Sequence, residues 1–371
     1  MLLKKVLILA LLLSAVTLST QAATLPGPAD QCRFVGIRDF TDFTREPSTN
    51  ANEQILLSPV LKAPMAWNEL IVSWNADTPN EAWLKVEVRG IYPDHQTAYY
   101  TMARWSRESL QFPRGTVRRQ KDADGAVLDD TLALKQAGAG LQLRITLSGP
   151  GQASLPKLKF AGLSFLDNRV ETALLPPNRA AWGKIIDTPE LAQKSYPQEK
   201  GWCSPTSLTM VLTRWGDLLN RPELKSDVPV VASNVYDHVF HGTGNWPFNT
   251  AYAGSFPGLR AYVARFSDIS ELEDWVNAGI PVIISAPWHL LSPGRHNTGS
   301  GHVTVCIGFT DTGDVVINDP ATNLQKGQKV RHIYKRENVI KAWKASHNTV
   351  YLIYPETAHS PADRFGHWDK P

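Results

Sequence analysis

Two short stretches of this sequence combine residue types that can do covalent chemistry. The first is Gly201-Trp202-Cys203-Ser204-Pro205-Thr206-Ser207, which runs directly into the apolar positions Leu208, Val211, Leu212 and Trp215. Their i, i+3, i+4, i+7 spacing predicts an amphipathic helix, and Pro205 suits its first turn. A cysteine at a helix start meets unpaired backbone N–H groups and the positive end of the dipole, both of which favour thiolate. A buried, inert cysteine is the competing reading. Gly, Trp and Pro gathered at a helix start favour the reactive one.

The second stretch is Gly301-His302-Val303-Thr304-Val305-Cys306-Ile307-Gly308-Phe309, a histidine at the head of a β-strand. A turn at Asp311-Thr312-Gly313 leads into a second strand, Val315-Val316-Ile317-Asn318-Asp319-Pro320. A catalytic base needs a third group to fix its tautomer, and Asp319 on the neighbouring strand is expected to supply it. Direct opposition of residues 302 and 319 would need a turn centred between Thr310 and Asp311. A bulge at Gly313, or Asp319 past the strand end, would reconcile the two, and Asn318 stays an alternative orienting group. Asp-Pro also commonly just begins a turn.

The elements that must position these groups follow from pattern. From Asn52 to Leu166 short alternating runs such as Trp83–Val88, separated by turn signals such as Lys121–Gly125, predict an antiparallel sandwich or jelly roll. A Pro-bearing stretch, 176–189, is expected as a linker. Beyond it, helix signals at Pro205–Trp215 and Glu271–Ala278 mix with a strand at Val282–Ala286, an α+β pattern. The expected organisation is a 24–175 β-sandwich, a 190–357 α+β domain and a poorly ordered 358–371 tail. The sandwich is expected to fold alone, and Trp67, Trp74, Trp83 and Trp105 give it either a glycan-stacking face or a packed core.

Residues 1–23 hold Lys4-Lys5, an apolar run from Val6 to Leu18 and small residues up to Ala23, the pattern of a secretory signal peptide. Its removal takes the formal charge from +3 to +1, which suggests no nucleic-acid partner. The mature chain is expected without a membrane span, in the periplasm or outside the cell. Three cysteines cannot all pair within one chain, so at least one thiol, among Cys32, Cys203 and Cys306, stays free. Cys306 shares a strand face with His302 and is expected in the core. His238, His241, His289 and His296 form no tight pair with carboxylate support, so no metal is expected.

Taken together, Gln198, the Gly201–Ser207 motif before a helix, Gly301–Val305 with Gly308-Phe309, and Asn318-Asp319-Pro320-Ala321 resemble the C39-like peptidase family. The resemblance spans roughly residues 190–354, including Gly244–Thr250 and the Val350–Ile353 strand. It implies a papain-like catalytic domain, in which a helix carrying the cysteine packs on a sheet carrying the histidine, preceded by the all-β sandwich or jelly roll. It implies Cys203 as nucleophile, His302 as base and Asp319 as orienting acid, with no cofactor. Gln198 corresponds to the oxyanion-hole glutamine, one residue nearer the cysteine than is usual. Trp246 and Phe248 are the expected cleft wall. The expected function is hydrolysis of peptide or related amide bonds, in peptides or cell-envelope material, through an acyl-enzyme. Acyl transfer to an amine by the same triad is one alternative. A non-catalytic envelope-binding protein is another, against which the intact Cys, His and Asp set argues.

Overall fold

The computed structural model describes residues 31–79, 81–107, 114–198, 200–292 and 301–369. The signal-peptide segment 1–23, Glu199, His296 and Gly299-Ser300 lie outside them.

The first part is all strand: β1 (Cys32–Ile37), β2 (Thr44–Glu46), β3 (Glu53–Leu57), β4 (Leu61–Asp77), β5 (Trp83–Ile91), β6 (Tyr100–Trp105), β7 (Gly125–Leu128), β8 (Thr131–Ser148) and β9 (Lys157–Leu166). Alternation decides which side chains enter the core: in β5, Leu84, Val86 and Val88 are buried while Trp83 and Lys85 are half-exposed. Glu87 breaks the pattern and is buried because Arg144 grips both its oxygens at 2.8 and 3.0 Å. The 121–125 turn forms as the sequence suggests, with Asp122 Oδ1 accepting from the N–H groups of Asp124 and Gly125.

Hydrogen bonds connect these strands into one curled sheet rather than two separate ones. The long strands β4 and β8 do this: the first half of β8 lies between β7 and β4, its second half between β3 and β5. The antiparallel, β-rich character matches the sequence expectation. The glycan-stacking face does not, because Trp67, Trp74 and Trp105 are fully buried and only Trp83 of the four keeps partial exposure.

The second part mixes helices and strands: α1 (Cys203–Leu219), α2 (Val228–Val235), α3 (Trp246–Ser255), β10 (Leu259–Arg265), α4 (Ile269–Asn277), β11 (Val282–Ser285), α5 (Trp288–Leu291), β12 (Val303–Phe309), β13 (Val315–Asn318), β14 (Arg331–Tyr334), α6 (Arg336–Lys344) and β15 (Thr349–Pro355). Its antiparallel sheet runs β10-β15-β11-β12-β13-β14. The near-continuous apolar runs of β10, β12 and β15 are buried along their whole lengths, because β10 lies against β4 and α3, while α1 covers β12 and β15. Among the described residues no helix is long and apolar enough to cross a membrane.

The two parts pack together through one continuous core. Phe248 of α3 packs edge-on against Trp74 and at a tilt against Trp105, at ring distances of 6.4 and 5.3 Å. The Asn75 side chain on β4 acts toward β10 like a neighbouring peptide unit: Nδ2 donates to Ala261 O at 2.6 Å and Oδ1 accepts from Ala261 N at 3.2 Å. Gly254 of α3 admits this approach, since a Cβ there would collide with the Asn75 amide. A buried ion pair, Arg265 to Glu69 at 2.7 Å, also crosses the junction.

The C-terminal segment is also not the loose tail the sequence suggests. Strand β16 (Trp368–Asp369) pairs parallel with β1, and Trp368 packs between Phe34 and Trp275 at 5.3 and 5.6 Å. His367 is fully buried, its Nδ1 2.9 Å from Glu271 Oε1. The partner of His367 lies nearly a hundred residues away, which no local pattern announces.

Candidate active site

Cys203 is the first residue of α1, with Trp202 capping and no side chain bonding the free N–H groups of that end. The helix is fixed by its buried stripe of Leu208, Val211, Leu212 and Trp215. Polar contacts set its depth. Ser207 Oγ donates to Val303 O at 3.2 Å, Ser204 Oγ meets Tyr351 Oη at 2.9 Å, and Trp215 Nε1 donates to Ile353 O at 2.9 Å. This brings the start of α1 over the start of β12, where His302 lies, and Cys203 is half-buried there.

His302 is buried, and Asp319 beside it is more so. The imidazole Nε2 lies 2.8 Å from Asp319 Oδ1, which leaves Nδ1 for Cys203, whose side chain acts on this ring. Burial works against charge on the imidazole. The Asp319 carboxylate, with the hydrogen bonds to Asp319 and Cys203, outweighs it and raises the His302 pKa to about 10. Burial likewise opposes ionisation of Asp319, yet His302 and the Tyr334 hydroxyl hold its carboxyl well below the usual range. Oδ2 accepts from Tyr334 Oη at 2.7 Å, and Oδ1 also accepts from Ala321 N at 2.9 Å. A proton on this imidazole is therefore strongly held.

The register explains how Asp319 reaches the ring. Val305 pairs with Asn318 and Cys306 with Ile317, so continuing the ladder sets Asp319 level with Thr304. His302 is then its diagonal neighbour on the same face, just past the end of β13. The extra residue is Ile307, not a residue near Gly313, because the register shifts between Cys306 and Gly308. There the 183–186 segment, expected as linker, joins the strand: Ile186 N donates to Ile307 O at 2.7 Å and Phe309 N to Lys184 O at 3.0 Å. A Cβ at Gly308 would collide with Lys184 O, so this contact needs glycine.

Asn318, one residue away, faces the other side. Its Nδ2 donates to Thr188 O and Pro189 O at 3.2 and 3.1 Å, which removes it from the orienting role. Cys306 is fully buried, and burial pushes its thiol up to about 12, the core position expected of it. Phe248 is a correction: fully buried in the junction with the β-rich part, it can wall no cleft. Trp246 is half-buried at the start of α3, its N–H donating to Asp130 Oδ2 at 2.9 Å. Gln198 is exposed, and among the described residues no hydrogen bond joins its side chain to the other three. Tyr334 was missed by sequence reasoning. Its position at the end of a strand following the Asp-Pro turn was the one available signal.

A cavity of about 820 Å³ has Gln198 and Trp202, the residue before Cys203, in its wall. Arg107 and Arg114 from the segment after β6 also line it, with His238 and His241 from the loop after α2.

A cysteine at a helix start beside a buried, hydrogen-bonded His–Asp pair on an antiparallel sheet makes a candidate thiol-nucleophile site. Residues 185–351 match the Peptidase_C39 like family, and residues 29–165 match the peptidase C39 N-terminal domain. Both matches are to C39-like peptidase models, and they suggest cysteine peptidase activity. A solved structure described as a C39-like peptidase from Bacillus anthracis is 20% identical, covering 47% of this chain and 94% of that one. Its TM-score of 0.26 carries no structural argument. No curated protein sequence matches.

Proposed function

We propose that this protein is an exported cysteine peptidase that hydrolyses peptide or related amide bonds through a Cys203–His302–Asp319 triad. The observation that carries the reading is the buried His302–Asp319 pair, 2.8 Å apart, whose imidazole also interacts with Cys203. His302 takes the thiol proton and the Cys203 sulfur attacks the scissile carbonyl. The Cys203 N–H, unpaired in the first turn of α1, and the Gln198 amide are the proposed oxyanion donors. The imidazolium then protonates the leaving amine. A water, deprotonated by the same ring, releases the acyl group and restores the thiol. Packing of α1 on β12 and β15 supports a papain-like reading of this part, and residues 1–23 support export to the periplasm or beyond.

Digestion of a peptide library by wild type and Cys203→Ala side by side tests the proposal. Cleavage by the first and none by the second is expected. Equal cleavage, or none by either over a range of pH, contradicts it. Adding an amine acceptor to the same digestion separates hydrolysis from acyl transfer by the mass of the product.

A further inference from the structure

The backbone that leads into Cys203 is held from outside its own segment. Gly201 turns the chain with a φ of 78°, and its carbonyl accepts from Thr243 Oγ1 at 2.9 Å. The next peptide unit along carries the Cys203 N–H. Each peptide is planar, so only the φ and ψ of Trp202, −86° and 18°, separate the two planes, and fixing the first restricts the second. Thr243 lies in the loop between α2 and α3 and is buried. Its own carbonyl accepts from Asn249 Nδ2 at 2.9 Å, so the residue stays in place when only its hydroxyl is changed. Asp237, fully buried, closes the same loop. Its Oδ1 accepts from the N–H groups of Val239 and Phe240 at 2.9 Å each, and its Oδ2 from Asn245 Nδ2 at 3.4 Å. Oδ2 also accepts from Thr116 N at 3.1 Å, which ties the loop to the β-rich part.

We propose that Thr243 is a positioning residue for the reaction: its hydroxyl fixes the Gly201–Trp202 peptide and thereby aims the Cys203 N–H at the oxygen of the tetrahedral intermediate. The assignment rests on the peptidase reading of Cys203 and adds to it a residue that acts through the backbone. An oxyanion donor is effective because it is aimed before charge develops, and a misplacement of about 1 Å can cost about 100-fold in rate. The thiol itself is served by His302 and Asp319 from the sheet, on the other side of the nucleophile's chain of contacts. Loss of the Thr243 hydroxyl therefore affects acyl transfer and not the reactivity of the thiol. Through Asp237 and Thr116 the β-rich part takes a share in this geometry.

The test compares two reactions of the same thiol in the full-length protein, for wild type, Thr243→Val and Thr243→Ser. Alkylation by iodoacetamide is a displacement at carbon that forms no oxyanion. Acylation by p-nitrophenyl acetate passes through a tetrahedral oxyanion, leaves an acetyl thioester on Cys203 and releases p-nitrophenolate. Acylation is read as the p-nitrophenolate burst above that of Cys203→Ala. Thr243→Val, which keeps the shape and loses the hydroxyl, is expected to slow acylation by about tenfold while alkylation stays within about twofold of wild type. Thr243→Ser, which keeps the hydroxyl, should acylate near the wild-type rate. Unchanged acylation in Thr243→Val, equal slowing of both reactions, or Thr243→Ser as slow as Thr243→Val overturns the assignment and leaves the peptidase reading intact. Wild type that alkylates at Cys203 without a burst, or that does neither, overturns the peptidase reading and this assignment with it.

Discussion

Asp319 orients His302 from a diagonal position that neither strand dictates alone, and Tyr334 and Ala321 N hold it there. Removing its carboxylate leaves a buried imidazole with no fixed tautomer. Asp319→Ala is expected to lower kcat/KM by about 100-fold or more. Asn318→Ala should instead cost about 1–3 kcal/mol of stability through the lost bonds to Thr188 and Pro189, with a smaller loss of turnover. Kinetics and urea unfolding on both variants check this ranking.

The same pair sets a pH dependence. The folded-state pKa of His302 is raised from 6.5 to about 10, so its contribution to stability is full below about 6.5 and is lost as pH rises through about 10. Asp319 is depressed from 3.8, so its contribution is present above that value and is lost as pH falls through its lower folded value. The difference in melting temperature between wild type and His302→Ala should therefore shrink on the alkaline side. A difference that grows from pH 7 to 10 would contradict the assignment. Cys203, His302 and Asp319 were legible because each sits in a local motif; Tyr334 was not, because its role depends on a strand reached only after a loop.

Elements differ in how much of their placement is local. Helix α1 was readable because its apolar spacing and Pro205 are contained within a few turns, and the 121–125 turn because Asp122 caps its own backbone. The bulge at Ile307 was not readable, since it answers to residues 183–186, over a hundred positions earlier. The C-terminal segment looked loose for a related reason: the buried His367 and half-buried Trp368 meet distant partners on β1, β10 and α4. Removing residues 359–371 would strip Glu271 of His367 and uncover Phe34 and Trp275. The loss is expected to be about 3–5 kcal/mol or more, since a buried carboxylate is left without its partner. Urea unfolding of the truncated chain measures it. A midpoint equal to wild type would mean that the segment contributes nothing to the fold.

At the scale of the whole molecule, the sequence divides the chain where composition changes, but the core does not divide there. Periodicity shows that Trp74, Trp105 and Phe248 are buried without showing that they are buried against each other. Each such aromatic removes about 150–250 Å² from water. Residues 24–175 expressed alone are therefore expected to expose a large apolar face, bind a hydrophobic dye and show little near-UV dichroism. A soluble, cooperatively unfolding fragment would mean that the junction is a docking contact between two independent units.

The claim on which the rest stands is that Cys203 is an activated thiol. Its most direct test is alkylation of the native protein with iodoacetamide near neutral pH, followed by mass spectrometry of the three cysteine-bearing peptides, in wild type and in His302→Ala. The account predicts rapid modification at Cys203, none on that timescale at the buried Cys32 and Cys306, and a slowing at Cys203 of about tenfold or more when the imidazole is removed. Comparable labelling of Cys203 and Cys306, or a Cys203 rate that ignores the loss of His302, would contradict it.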